Sequence, residues 1–143
     1  MIYMGVELFI EETDINNEKI LEIFKTAFLD ANLTEKGAVH IDDKLNTLIA
    51  VDEGYKRLYI HTYGPVKKSI DELELLRWIN DANFEKPYVR FFLDKEHDLM
   101  LDYYLSYKGG LTSLQIVESY RKFCMVGEEM ISKLNNMGYI SKD

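Results

Sequence analysis

Between Leu73 and Gly110 the chain reads LELLRWINDANFEKPYVRFFLDKEHDLMLDYYLSYKGG, and no other stretch restricts the possible folds so strongly. It opens as an amphipathic helix carrying the only tryptophan, Trp78, and two asparagines, Asn80 and Asn83. Pro87 then removes a main-chain donor and stops the helix. Beyond it, apolar residues recur at every second position. In Tyr88–Asp94, Val89, Phe91 and Leu93 alternate with Tyr88, Arg90 and Phe92. In Asp98–Tyr107, Leu99, Leu101, Tyr103 and Leu105 alternate with Met100, Asp102 and Tyr104. A period of two over successive segments, joined by a short acidic turn, predicts a hairpin with one face on a core.

The rest of the chain supplies partners for that hairpin. Met1–Phe9 is apolar and short, and residues 1–13 read as an N-terminal arm or an extra edge strand. Ile20, Phe24, Ala27, Phe28 and Ala31 form one helical stripe within about Ile15–Leu33, with Asp14 or Asn16 as N-cap and Lys36-Gly37 as the stop. Three short strands follow. Ala38–Asp42 ends in a polar turn, Leu45–Val51 ends at Asp52-Glu53-Gly54, and Arg57–Tyr63 alternates Leu58, Ile60 and Thr62 against Tyr59, His61 and Tyr63. A left-handed glycine at Gly54 would suit the second turn. Connections this short permit only antiparallel neighbours. Ser69-Ile-Asp-Glu72 has the form of a capping box ahead of the second helix, and Thr112-Ser-Leu-Gln115 opens the third. Gly109-Gly110 closes the hairpin before it. In that last helix Val117, Tyr120, Cys124, Gly127, Ile131 and Leu134 form a seam beside a second line of Ile116, Phe123, Met130 and Met137. The element order is α-β-β-β-α-β-β-α: an α+β fold in which an antiparallel sheet of about five strands packs with three helices on one face.

Residues 1–143 suit a single domain with a real core, since 47% of them are hydrophobic and 13% aromatic. The formal charge of −8 opposes phosphate backbones, and Lys67-Lys68 and Arg121-Lys122 are the only adjacent basic pairs, so no nucleic-acid partner is expected. Neither is a membrane: no apolar run is long enough to span one, and MIYMGVELFIEE has no signal-peptide form. One cysteine, Cys124, allows no internal disulfide and fits a cytoplasmic protein.

Candidate chemistry is sparse. Asp94, Glu96, His97 and Asp98 are oxygen and nitrogen donors of the kind that hold divalent cations, yet turns favour the same residues. Cys124 could pair with His40, His61 or His97, yet it sits on an apolar seam where cysteine packs as a small hydrophobe. Gly109-Gly110 lacks the lysine and flanking glycines of a phosphate loop. No cofactor, metal or catalytic residue is therefore assigned. The surviving feature is a sheet face of Tyr88, Phe92, Met100 and Tyr104 with Arg90 and Asp102, to which Tyr59, His61 and Tyr63 can add. Its composition is that of protein interfaces, although a helix covering it would make it a second core.

The run RWINDANF…VRFFLDKEHDLMLDYYLSYKGGLT resembles the signature of the YbjN family. The residues that carry the resemblance are Trp78, Asn80, Asn83, Phe84, Arg90, Phe92, Leu93, Asp94, Asp98, Leu99, Gly109, Gly110 and Thr112. It implies a fold like that of type III secretion chaperones and a role as a sensory transduction regulator, with no catalytic or ligand residues to carry over. Within that signature Trp78, Asn80 and Asn83 are expected to lock the helix end to the next strand. Two departures are the glycine-free turn Asp94–Asp98 and the aromatic pair Tyr103-Tyr104 in a strand that usually alternates acids. The expected function is a non-enzymatic binding module that captures a partner-protein segment through Tyr88, Arg90, Phe92, Met100 and Tyr104. The wide apolar face of the last helix adds the expectation of a homodimer. A dedicated type III secretion chaperone is the alternative, and a metal sensor or enzyme built on residues 94–98 the third reading.

Overall fold

The computed structural model of the chain describes residues 8–142, so the expectation for Met1–Phe9 lies mostly outside them. Its described end belongs to a short strand, β1 (Phe9–Ile10). There follow a 3-10 turn (Glu12–Asp14), α1 (Asn17–Thr26), β2 (Asp30–Leu33), β3 (Val39–Asp42), β4 (Asn46–Asp52) and β5 (Arg57–Gly64). Then come α2 (Glu72–Glu85), β6 (Arg90–Leu93), β7 (Leu99–Ser106), β8 (Leu111–Thr112) and α3 (Ser113–Asn136). The α+β class stands, but the strands among the described residues number eight rather than five. Six form one antiparallel sheet in the order β2-β3-β4-β5-β7-β6, and β1 pairs separately with β8. No described helix is long and apolar enough to cross a membrane.

The extra edge strand of the six-stranded sheet, β2, was hidden in the tail of the first predicted helix. Asn16 caps α1 as expected, its side chain accepting from the Lys19 amide at 2.8 Å. The helix stops at Thr26 because Phe28 turns left-handed, with φ of 63°. The Leu29 amide then donates to the Phe24 carbonyl and the Phe28 amide to the Lys25 carbonyl, which is the bond pair of a Schellman ending. Ala31, read as the last residue of the stripe, instead pairs with Ile41 across β2 and β3. Gly37, read as the helix stop, carries the positive φ of the β2–β3 turn. Two further signals are displaced in the same way. Asp71 rather than Ser69 caps α2, accepting from the Glu74 amide at 3.1 Å, where its charge also favours the helix N-terminus. The left-handed residue before β5 is Lys56, at φ of 52°, and not Gly54. The box at the start of α3 is present in both halves, Thr112 and Gln115 each satisfying the other's amide.

The alternation in β3 to β7 divides the sheet cleanly. Val39, Ile41, Ile49, Leu58, Ile60, Phe91, Leu99 and Leu101 are buried on one face. All three helices cover that face. Trp78 of α2 meets Phe91 edge-on at 6.0 Å, and Phe24 of α1 meets Tyr120 of α3 edge-on at 5.2 Å. Gly127 of α3 lies against the sheet; a Cβ there would stand 2.7 Å from the end of Leu45 and 3.6 Å from Leu101. Each fully buried aliphatic or aromatic side chain contributes roughly 1.5–3 kcal/mol, so this layer dominates stability. Most of both lines of α3 is consumed by it: Ile116, Val117, Tyr120, Phe123, Cys124, Met130 and Leu134 are buried, Ile131 is half-buried and Met137 at the end is exposed. The α3 surface that suggested a second copy is therefore mostly covered within one chain.

A candidate protein-binding face

The opposite sheet face carries no helix among the described residues. Antiparallel register aligns Asn32, His40, Leu48, His61, Asp102 and Arg90 in one row across all six strands. Ala50, Tyr59 and Tyr104 form the next row on one side, and Tyr63, Met100 and Phe92 the row on the other. These side chains are half-buried or exposed, except Asp102, which is 1% exposed beneath its neighbours.

Rings and guanidinium groups knit the surface together. Tyr59 stacks on Tyr104 at 4.6 Å and on His61 at 4.4 Å. Arg90 grips Asp102 with Nε at 2.9 Å and a terminal nitrogen at 2.5 Å, the forked geometry that suits a carboxylate. The same guanidinium lies 4.5 Å from the Phe92 ring centre. Arg57 donates to Asp52 at 2.9 Å and sits 3.8 Å over Tyr104. A guanidinium stacked on an aromatic face gains about 0.5–1 kcal/mol at an exposed site, so these contacts fix the layer without closing it. Burial, and then the Asp102 carboxylate, push the Tyr59 phenol well above the usual range. Burial also pushes the His61 imidazole down, which keeps it neutral and leaves Arg90 as the cation paired with Asp102.

Four of the five expected partner-binding residues, Arg90, Phe92, Met100 and Tyr104, lie on this face. Tyr88 does not. It precedes β6, stacks on the helix-side residue Tyr103 at 4.3 Å and donates to the Ser119 carbonyl of α3 at 3.2 Å. Burial pushes its phenol up to about 12. Strict alternation placed it beside Arg90, but the strand has not begun at residue 88, so the parity does not apply. Arg57 was missed, although it starts the alternating run that includes Tyr59 and His61.

The signature residues sort by contact. Asn83 clamps the Phe91 backbone, donating to its carbonyl and accepting from its amide, both at 2.9 Å. Trp78 packs as described, whereas Asn80 is exposed and does not share in the lock. Gly109 and Gly110 take φ of 84° and 95°, and a Cβ on Gly110 would stand 2.7 Å from the Ile10 carbonyl of β1. Gly110 therefore sets the approach of the terminal strand pair, and the Gly109 amide donates to the Glu12 carboxylate at 2.8 Å. Asp94 shapes the β6–β7 turn, its Oδ1 accepting from the Glu96 and Asp98 amides at 2.9 Å. Asp94, Glu96 and Asp98 bring oxygens within 4.8 Å of one another, but Lys68 already holds Asp98 and approaches the Glu96 and His97 carbonyls. Cys124 is buried near Thr47 on the helix side, with its thiol pushed up by burial. His40 and His61 lie on the opposite face and His97 at the turn, so no nucleophile pair forms.

No curated protein matches the chain in sequence. The fold is that of the crystal structure of YbjN from E. coli, described as "a putative transcription regulator". The TM-score is 0.78 at 16% identity, over 89% of this chain and 96% of that one. A chain of the HopA1–SchA chaperone–effector complex is also similar, with a TM-score of 0.56 at 15% identity over 79% and 88% of the two chains. A family described as "putative bacterial sensory transduction regulator" matches residues 49–135, which hold α2, the hairpin, its sheet partner β5 and nearly all of α3. On that match the chain belongs to the YbjN family.

Proposed function

We propose that this protein is a non-enzymatic, protein-binding module of the cytoplasm, a single domain that captures a segment of a partner protein on its helix-free sheet face. One observation carries the reading: a six-stranded sheet whose second face bears Tyr59, Tyr63, Phe92, Met100 and Tyr104 with two stacked arginines and, among the described residues, no covering helix. Interfaces favour this mixture of aromatics, methionine and arginine. The likeness to a chain from a chaperone–effector complex supports the reading and leaves a dedicated secretion chaperone as its narrower version. A homodimer that uses this face would bury the same aromatic residues against a second copy.

The test uses Phe92→Ser with Met100→Ser, two outer-face changes. Affinity capture from native extract should recover a partner with the unaltered chain. It should lose that partner roughly thirtyfold with the double variant, the scale for truncating interface anchors. Urea unfolding of both proteins should differ little. Recovery unaffected by the double variant would refute the reading, and light scattering across a concentration series decides the homodimer.

A further inference from the structure

β7 is eight residues long and β6 only four, so their ladder ends at the pair Arg90–Asp102. Residues Tyr103–Ser106 keep β5 on one side and have lost β6 on the other. Parity identifies which main-chain groups this leaves open. The Tyr107 amide donates to Lys56 on the β5 side at 2.8 Å, so Leu105 and Tyr103 also turn toward β5. The Asp94 amide donates to the Asp98 carbonyl at 3.0 Å, so the even residues of β7 turn toward β6. Tyr104 and Ser106 therefore aim N–H and C=O out of the sheet edge, and among the described residues no strand meets them. The chain does not extend β6 to do so: the backbone turns at residues 87–89, where the Val89 amide turns back to the Lys86 carbonyl at 3.3 Å. A cleft of about 560 Å³ occupies the place of the missing strand, lined by Pro87, Tyr88, Tyr103, Tyr104, Arg57 and Arg90 among others.

We propose that this edge accepts an extended segment of a partner protein as an added β-strand in line with β6, carrying acidic and apolar residues in alternation. This rests on the protein-binding reading above and names the partner's chemistry. Cross-strand residues point to the same side, so the partner residue opposite Tyr104 meets the Tyr104 ring and its two guanidinium groups, Arg57 at 3.8 Å and Arg90 at 6.0 Å. Arg57 uses Nε on Asp52, and Arg90 uses Nε and one terminal nitrogen on Asp102, so each keeps N–H donors for a second carboxylate. Residues next to it in the partner point to the other side, where Tyr88 and Tyr103 are stacked, and there an apolar or aromatic side chain fits. The net charge of −8 repels an acidic segment at long range, but screening over roughly 8 Å at physiological salt leaves the adjacent arginines in control. Strand addition supplies main-chain bonds as well as side-chain specificity.

The test needs no identified partner. Amide hydrogen exchange of the free protein should show fast exchange at Tyr104 and Ser106 and slow exchange at Tyr103 and Leu105; slow exchange at all four would overturn the open edge. The probes are capped ten-residue peptides alternating valine with aspartate, the same peptide with lysine for aspartate, and an aspartate peptide N-methylated at alternate residues. The aspartate peptide should bind, slow exchange at Tyr104 and Ser106, and lose at least tenfold in affinity on N-methylation or lysine replacement. Ser106→Pro should abolish binding while keeping the fold, because proline is tolerated where an edge N–H faces outward. Equal binding of the N-methylated peptide, or undiminished binding to Ser106→Pro, would sink strand addition. Captured partner that depends on Phe92 and Met100 but survives Ser106→Pro would sink it too, while leaving the binding face standing.

Discussion

Phe91 and Phe92 are neighbours on β6 that face opposite sides of the sheet, and replacing each with alanine measures whether the outer face is a surface or a second core. Phe91 is 1% exposed, packed edge-on to Trp78 and framed by Asn83. Truncating a ring in such a site costs about 3–5 kcal/mol, transfer and cavity together. Phe92 is half-buried with Arg90 over its ring. Half of a full burial is about 1 kcal/mol, and the cation–π contact adds about 0.5, for a total of about 1.5 kcal/mol. With a urea slope of about 2 kcal/mol per molar, Phe91→Ala should lower the midpoint by roughly 2 M and Phe92→Ala by less than about 1 M. Urea unfolding at two protein concentrations is the assay. A Phe92→Ala loss as large as that of Phe91→Ala would refute the division of the sheet into core and open faces. A loss that grows with protein concentration would mean that a second copy covers the outer face.

Phe28 is 97% exposed at a left-handed position, so Phe28→Gly should hold or raise stability by up to about 1 kcal/mol, read as thermal midpoint; clear destabilisation would show that the ring has a hidden contact. Asn83→Ala removes both bonds to the Phe91 backbone and should cost about 2 kcal/mol, whereas Asn80→Ala, at an exposed site, should cost under about 0.5; equal losses would discredit the lock. Burial raises the Cys124 thiol above its unfolded value, so its contribution to stability is complete below the ordinary thiol range and is lost as pH climbs through the native value. Labelling of the folded protein near pH 8 should accordingly be far slower than in urea, and equal rates would contradict the buried placement. Elemental analysis after dialysis should find no calcium, zinc or manganese, since the Lys68 ammonium sits among the oxygens of the 94–98 turn; one retained equivalent would reverse that reading.

Period-two and helical patterns are local properties of the chain, and here they determined the hairpin, the three helices, β3 to β5 and the buried face, because burial enforces alternation wherever one side of a strand is dry. Asn16, Thr112 and Gln115 were legible as caps for the same reason: each acts within one turn of its own helix. The letters of Trp78 through Thr112 were enough to point to the family. Other features depended on what the chain meets at a distance. β2 looked helical because Ala31 continues a spacing of 3.6, and only the left-handed turn at Phe28 and pairing with β3 make it a strand. Tyr88 left the outer face because its ring found Tyr103 and its hydroxyl found α3. Asp102 looked like a surface acid but is buried under Arg90 and beside Tyr59 and His61, an environment assembled from three strands. The open edge at Tyr104 and Ser106 was invisible for the plainest physical reason: sequence encodes the length of each strand, while which strand lies beside it, and where that neighbour ends, is decided by the packed sheet.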